Sequence, residues 1–401
     1  MPPITSELAR HWTLDPRVDF LNHGSFGACP RPVLALQGEL RERLEREPCV
    51  FFLHELEARL DEARSAVAQF LGARPEDMAF VSNATQGLNA VLGSLRFQPG
   101  DELLVTNHEY NASKNALEFA AQRDGAKVVV VQVPFPGTTP EAVESRVLEA
   151  VTPRTRLAML DWITSPTGFI QPLESLVPKL RERGVETLID GAHAPGQVPV
   201  RLDALGAAYF AGNLHKWCCA PKGAAVLHVR RDLRDQVRPT SISHGANSPR
   251  QDRSRFWMEF DWTGTVDPTP WLCAPEAIRF MGTLLPGGWP AVMAANREKA
   301  LQAQGLLCRA VGIDAPVPAS MVGSMAAVPL PVGPPLAKPQ TTLLFPCALQ
   351  DMLFKEHHIQ VPIAPWPAPP ARVLRVSCQL YNRPEQYERL AKLLPELVQP
   401  A

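Results

Sequence analysis

No apolar run in the 401-residue chain approaches the length of a membrane span, and the longest, VVVVQV at 128–133, is strand-sized. The opening MPPITSELARHW has neither the basic end nor the apolar stretch of a secretory signal. There is no C-x-x-C spacing. The 8 cysteines are scattered and only Cys218 and Cys219 adjoin, so neither a disulfide framework nor a metal site is expected. Charge of either sign is not in excess: 40 basic residues face 41 acidic ones, which argues against a nucleic-acid partner. The expected setting is reducing and cytoplasmic, with no membrane partner. Lysine is scarce, supplying nine of the 40 basic residues, so few lysines compete for a catalytic role. Proline is the surplus, at 41 residues, with clusters at 314–338 and 362–370.

Helical spacing covers 31–47 and 54–71, with Pro48 expected to separate the two. From residue 78 the pattern changes. Short apolar runs at Met78–Val81, Leu103–Thr106, Lys127–Val133, Leu157–Trp162, Thr187–Ile189, Ala207–Ala211 and Ala224–Val229 read as seven buried strands. Helix-length segments at 85–95, 111–124, 140–151 and 172–183 lie between most of them. Alternation of this kind predicts an α/β domain with a mainly parallel sheet, taken here as 61–265. Helices follow at 271–284 and 290–311, then apolar runs at 325–329 and 341–345, a helix at 347–356, a strand at 373–377 and a helix at 384–397. This reads as a smaller α+β domain over 266–401, with residues 1–60 packed on it or at a dimer interface.

Ligands of open α/β sheets bind beyond the carboxyl ends of strands. Five such places carry polar chemistry: SNATQG, NHEYNAS, ITSPTG, DGAHAPG and GNLHKW. Lys216 follows an apolar strand among Tyr209, Phe210 and Trp217, where burial lowers an amine's proton affinity and makes it a nucleophile. A surface lysine is the plainer alternative. Asp190 ends a buried strand, a costly place for a carboxylate unless a positive or donor group meets it. A protonated ring nitrogen or a helix N-terminus would each serve. At 82–92, a strand end followed by Asn83, Thr85 and a helix offers free amides to an anion such as phosphate. Tyr110 offers a ring for stacking, while Ser165 and His193 sit at strand ends within reach of a ligand's hydroxyl.

The ordered set S-N-A-T, H-E-Y, T-S-P-T-G, D-G-A-H and H-K-W resembles the class V aminotransferase family of fold-type I enzymes that use pyridoxal 5'-phosphate. Within it the isopenicillin N epimerase-like group is most similar, through LNHGSFG, DWTGTVD at 261–267 and the ending RVSCQLYN. The resemblance implies a large domain with a seven-stranded, mostly parallel sheet plus a small domain. It also implies a homodimer with the active site at the subunit interface, and an amino-acid substrate. Lys216 matches the Schiff-base lysine and Asp190 the aspartate that meets the pyridine nitrogen. Tyr110 stands at the ring-stacking position. Ala84, Thr85 and His215 match phosphate-binding positions, with Asn213 where a small hydroxyl residue is common. Thr265 resembles the residue that reaches the other subunit's phosphate. Ser165 and His193 face the cofactor's phenolic oxygen. Arg375 matches the grip on the substrate carboxylate, with Asn22 and His23 beside the substrate.

The first step so implied is removal of the α-proton. Epimerisation or racemisation then needs a second acid, for which His23, Tyr110 and His193 are the candidates. Transamination and β-elimination by a carbon–sulfur lyase are the alternatives. Cysteine desulfurase relatives carry a nucleophilic cysteine just before the carboxylate-binding arginine, and 361–372 has none. A non-catalytic binding protein of the same fold would have lost Lys216 or Asp190. A nucleotide-binding Rossmann enzyme would show G-x-G-x-x-G after its first strand, which is missing.

Overall fold

The computed structural model describes residues 6–332 and 347–398, so the run expected at 341–345 lies outside the described residues. After β1 (Asp19–Phe20), the strands run β2 (Met78–Val81), β3 (Glu102–Thr106), β4 (Lys127–Val131), β5 (Thr155–Asp161), β6 (Glu186–Asp190), β7 (Tyr209–Asn213) and β8 (Ala225–Val229). The last seven form one sheet in the order β2-β8-β7-β6-β5-β3-β4. Only β8 runs against its neighbours, β2 and β7. Strands β2, β3, β7 and β8 are buried along their whole length, which is why they read as unbroken apolar runs. The carboxyl ends of β2, β3, β5, β6 and β7 therefore open on one edge, and all five polar segments gather there.

A second, antiparallel sheet combines β9 (Met325–Leu330), β11 (Ile363–Pro365) and β12 (Arg372–Ser377), while β10 (Ile359–Gln360) pairs in parallel with β1. The chain's beginning is thus fastened to its end. Trp12 packs edge-on against Tyr381 at 5.1 Å, and Ser6 Oγ donates to the Leu380 carbonyl at 2.8 Å.

Pro48 separates the two helices as expected: helix Arg31–Arg46 ends at Glu47, whose φ of −147° and ψ of 73° are not helical, and Pro48 opens a new one that winds on through Pro48–Val50 and a π turn at Phe51–Glu55 into Leu56–Leu71. Proline is harmless in a first turn, where its missing N–H has no acceptor to lose. One expectation is corrected: the stretch 271–284 is broken into Thr269–Leu272 and Ala274–Thr283, with Pro275 in the first turn of the latter. Helix Arg255–Asp261 is an addition to the expected elements; the Ser254 hydroxyl caps it by accepting the Trp257 N–H at 3.2 Å.

The polar segment before that helix is strapped to helix Leu56–Leu71. Arg250 forks onto Glu57 at 2.6 and 3.0 Å, and Arg253 binds Asp61 at 2.8 Å and Asp261 at 2.5 Å. Arg64, 1% exposed, joins Asp61 to Asp261 and lies 4.3 Å from the Trp257 ring, which Arg253 covers at 4.8 Å. Arg64→Ala removes a buried cation shared by two carboxylates, so a loss of about 3 kcal/mol is expected. It is read as a lower denaturant midpoint at unchanged m-value.

Candidate active site

Lys216 stands in the loop after β7, and the loop is fixed from several sides. Asn213 Oδ1 accepts the Ala84 N–H at 2.8 Å, tying the end of β7 to the start of helix Ala84–Ser94. The Ala224 carbonyl receives the Leu214 N–H at 3.0 Å and the His215 N–H at 3.1 Å, and His215 Nδ1 lies 3.0 Å from it. From the chain's start, the LNHGSFG loop presses on the same backbone. Gly27 has φ 63°, and a Cβ there would meet the His215 carbonyl oxygen at 2.3 Å, so only glycine fits. His23, fully buried, places Nε2 3.0 Å from the Lys216 carbonyl and Nδ1 2.8 Å from the Tyr381 hydroxyl. The carbonyl can only accept, so the proton belongs on Nε2, and Nδ1 accepts from tyrosine. His23 is therefore a brace for the lysine loop, with neither nitrogen free for a substrate.

Lys216 Nζ lies 3.1 Å from His193 Nε2, whose other nitrogen faces Trp217 Nε1 at 3.4 Å. Burial lowers the Lys216 pKa to about 7, helped by the Arg375 charge and opposed by Asp190 and Asp161. Burial likewise holds His193 well below the usual imidazole range, with Lys216 adding to the effect.

At the anion-binding end, the Ala84 N–H is spent on Asn213, so that residue has no donor left for a phosphate. Asn83 caps the helix by accepting the Gln86 N–H at 2.8 Å. The Thr85 N–H and hydroxyl have no partner among the described residues, and these are the donors the site can offer an anion. His215 spends its proton at Nδ1 on the Ala224 carbonyl, and burial lowers its pKa to about 4, so its Nε2 is left an acceptor.

Asp190 is 3% exposed; its oxygens accept from the Ser113 hydroxyl at 2.8 Å and the Ala192 N–H at 2.9 Å. Burial raises its pKa against those two bonds and Lys216. Two further buried acids, Glu109 and Asp161, stand beside it with carboxylate oxygens of all three within 4.8 Å. Neither is among the residues expected from the sequence. Applying to β5 the argument made for the acid ending β6 finds Asp161.

Arg375, on β12, is 6% exposed. It donates to the Ser165 carbonyl and lies 3.4 Å from its hydroxyl, and Nη2 donates to Ser25 Oγ at 3.2 Å. Ser25 in turn donates to Asn22 Oδ1 at 2.6 Å, so Asn22 acts at one remove. No carboxylate among the described residues pairs with Arg375, and its Nε has no partner. Burial lowers its pKa to about 10, while Tyr110 opposes that shift and so is electrostatically close. Tyr110 is 41% exposed at the head of helix Asn111–Asp124. Ser165, expected at a phenolic oxygen, lies against Arg375, which it holds mainly through its carbonyl. Thr265 is exposed in the turn after helix Arg255–Asp261 and joins none of these bonds.

The set fits pyridoxal 5'-phosphate. It holds an amine of lowered proton affinity for the aldehyde, a buried carboxylate for the ring nitrogen and unspent helix-terminal donors for the phosphate. Arg375 is left over, a buried fork for a carboxylate arriving with the substrate.

Comparison with known proteins agrees. The Aminotransferase class-V family model matches residues 51–325. The chain is 33% identical to an isopenicillin N epimerase of Streptomyces clavuligerus, covering 96% of each. It is 30% identical to a probable chloroplastic L-cysteine desulfhydrase of Arabidopsis thaliana, over 98% of this chain and 85% of that one. Among solved structures, the apo cysteine desulfurase of Thermococcus onnurineus superposes with a TM-score of 0.78 at 19% identity, over 99% and 98% of the two chains.

The lowered amine has a consequence for stability. Between pH 7 and the ordinary lysine value of 10.5, the unfolded chain holds a proton that the folded chain lacks, so stability rises with pH there. Lys216→Met should raise the melting temperature of the cofactor-free protein near pH 7, and the gain should fade toward pH 10.5. A gain that stays constant over that range would contradict the assignment.

Proposed function

The chain belongs to the aminotransferase class-V family, and on that premise we propose that it is a pyridoxal-phosphate-dependent enzyme that epimerises or racemises an amino acid at its α-carbon. The observation that carries the reading is Arg375, a buried guanidinium with no carboxylate partner among the described residues, whose charge acts on Lys216.

When bound, the cofactor supplies an electron sink that makes an amino acid's α-proton removable. Arg375 holds the substrate carboxylate, and Ser165 and Ser25 hold Arg375. Lys216 Nζ takes the α-proton, its pKa near neutrality suiting it to a general base. His193 orients that amine from 3.1 Å. Asp190 keeps a negative charge for the ring nitrogen, and Thr85 offers its N–H and hydroxyl to the phosphate, while His215, holding the Ala224 carbonyl, fixes the loop beside it. A homodimer would bring Thr265 to that end; the exposure of Phe26 (59%) and Val266 (46%) supports an interface there.

Inversion requires a proton from a group other than Lys216. His23 has both nitrogens engaged, and His193 is hydrogen-bonded to Lys216 itself. Tyr110 remains: its side chain makes no hydrogen bond among the described residues, and it sits within electrostatic reach of Arg375. A second reading, β-elimination of a sulfur substituent, is favoured by the relatives named L-cysteine desulfhydrase and needs no second donor. Desulfuration through a cysteine nucleophile has no support. The stretch 361–372 lacks cysteine, and burial raises the thiol pKa of Cys219 and of Cys378, the latter to about 12.

The test incubates holoenzyme with L- and D-amino acids in deuterated water. Deuterium at the α-carbon with inverted configuration is the expected product, and Tyr110→Phe should slow inversion by about 100-fold or more while retentive exchange persists. Pyruvate plus a thiol, or a keto acid, would replace this reading with elimination or transamination. Lys216→Ala should lose both exchange and the visible absorbance of the bound cofactor; retained absorbance would refute the lysine assignment.

A further inference from the structure

The register of the central sheet places two acids side by side. Asp161 ends β5, Asp190 ends β6, and the parallel ladder pairs them directly, so both side chains leave the same face. Glu109 comes from the loop after β3. Its exposure is 7% and that of Asp161 is 2%. Among the described residues, both oxygens of Glu109 and Oδ2 of Asp161 are buried without a well-formed hydrogen bond, the Tyr110 backbone N–H alone acting weakly on Glu109, whereas both oxygens of Asp190 are satisfied. As two carboxylates, Glu109 and Asp161 would repel one another with no cation between them. One proton held between them removes the repulsion and satisfies both groups.

We propose that Glu109 and Asp161 share a proton and form a second acid layer behind Asp190, acting as positioning residues that strengthen its hold on the cofactor's ring nitrogen; the second clause rests on the function proposed above. The pair carries one negative charge beside Asp190. That charge makes Asp190 a better acceptor for a protonated ring nitrogen than its two hydrogen bonds alone would leave it. The charged and titratable groups around the pair are Asp190 on β6 and Lys216 from the loop after β7; Ser113, on helix Asn111–Asp124, contributes a neutral hydroxyl to Asp190. Burial pushes both carboxyls well above the usual carboxylate range, the Asp190 charge adding to it at each and the Glu109 charge at Asp161, in keeping with a proton retained at neutral pH.

Infrared difference spectra of the full-length protein near pH 7, with cofactor and after its removal, read the proton directly. A carboxylic-acid C=O stretch that shifts in deuterated water is expected in both states, and the double variant Glu109→Gln with Asp161→Asn should lose it. In the holo form of that variant, the pH midpoint of the cofactor's visible absorbance should fall by about one unit or more, as a neighbouring charge is removed. A purely structural role would leave that midpoint in place. Should the double variant not fold, Glu109→Gln alone must shift the stretch in frequency. A wild-type protein with no such stretch overturns the proposal. So does a divalent cation, retained in stoichiometric amount through purification and lost in the variant. The cofactor-free spectrum does not depend on Lys216, so a stretch present in a protein that never takes up pyridoxal phosphate would sink the function reading and leave the shared proton standing.

Discussion

A guanidinium buried with no counter-ion among the described residues is the interaction on which the rest of the cleft is arranged. An uncompensated charge in a dry site costs about 3–5 kcal/mol. Arg375 is tolerated because two further parts of the chain bring neutral acceptors to it. Strand β12 supplies the arginine, the turn after β5 supplies Ser165, and the loop preceding the first long helix supplies Ser25. That convergence explains why the chain's beginning is threaded back onto its end through β1 and β10. A substrate carboxylate would complete the pair that the protein leaves open, so part of the folding cost becomes binding selectivity.

Charges of both signs act on Lys216: Arg375 is the cation, and of the clustered acids Glu109, Asp161 and Asp190, the two aspartates oppose it. Burial lowers the amine's proton affinity, Arg375 adds to that and Asp190 and Asp161 oppose it, leaving the pKa at about 7. The same burial has opposite consequences for the two signs: it loosens the proton on Lys216 and keeps one on the acids behind Asp190. One desolvated sheet edge thus sets up both a base and a charged partner for an electron-poor ring.

Legibility in the sequence follows the physics of each element. The sheet is readable because its strands are buried on both faces and leave continuous apolar runs, and the strand-end rule leads to Lys216, Asp190 and the Thr85 helix start. Registers and side-chain partners are not encoded locally. Nothing near Asp161 reveals that it stands opposite Asp190, and nothing near Ala84 reveals that its amide is taken by Asn213, 129 residues away. His23 misleads for the same reason: a histidine in a glycine-rich loop looks available until its neighbours, Tyr381 and the Lys216 carbonyl, are brought to it by tertiary packing.

The proline surplus finds a place in this arrangement. The segment 362–370 returns to the carboxyl edge of the central sheet, where the Trp366 ring lies tilted at 4.2 Å from His108 and edge-on to Phe135 at 6.5 Å. His108 is itself buried, with Nδ1 2.8 Å from Thr167 Oγ1 and Nε2 2.9 Å from the Val133 carbonyl. Thr167 belongs to the turn whose Ser165 holds Arg375. A stiff loop is therefore joined through one imidazole to the carboxylate grip, and proline lowers the entropy lost in holding it there. This loop carries a tryptophan pinned to His108 and no cysteine, so the region can shape the cleft around a substrate but cannot supply a thiol nucleophile to it.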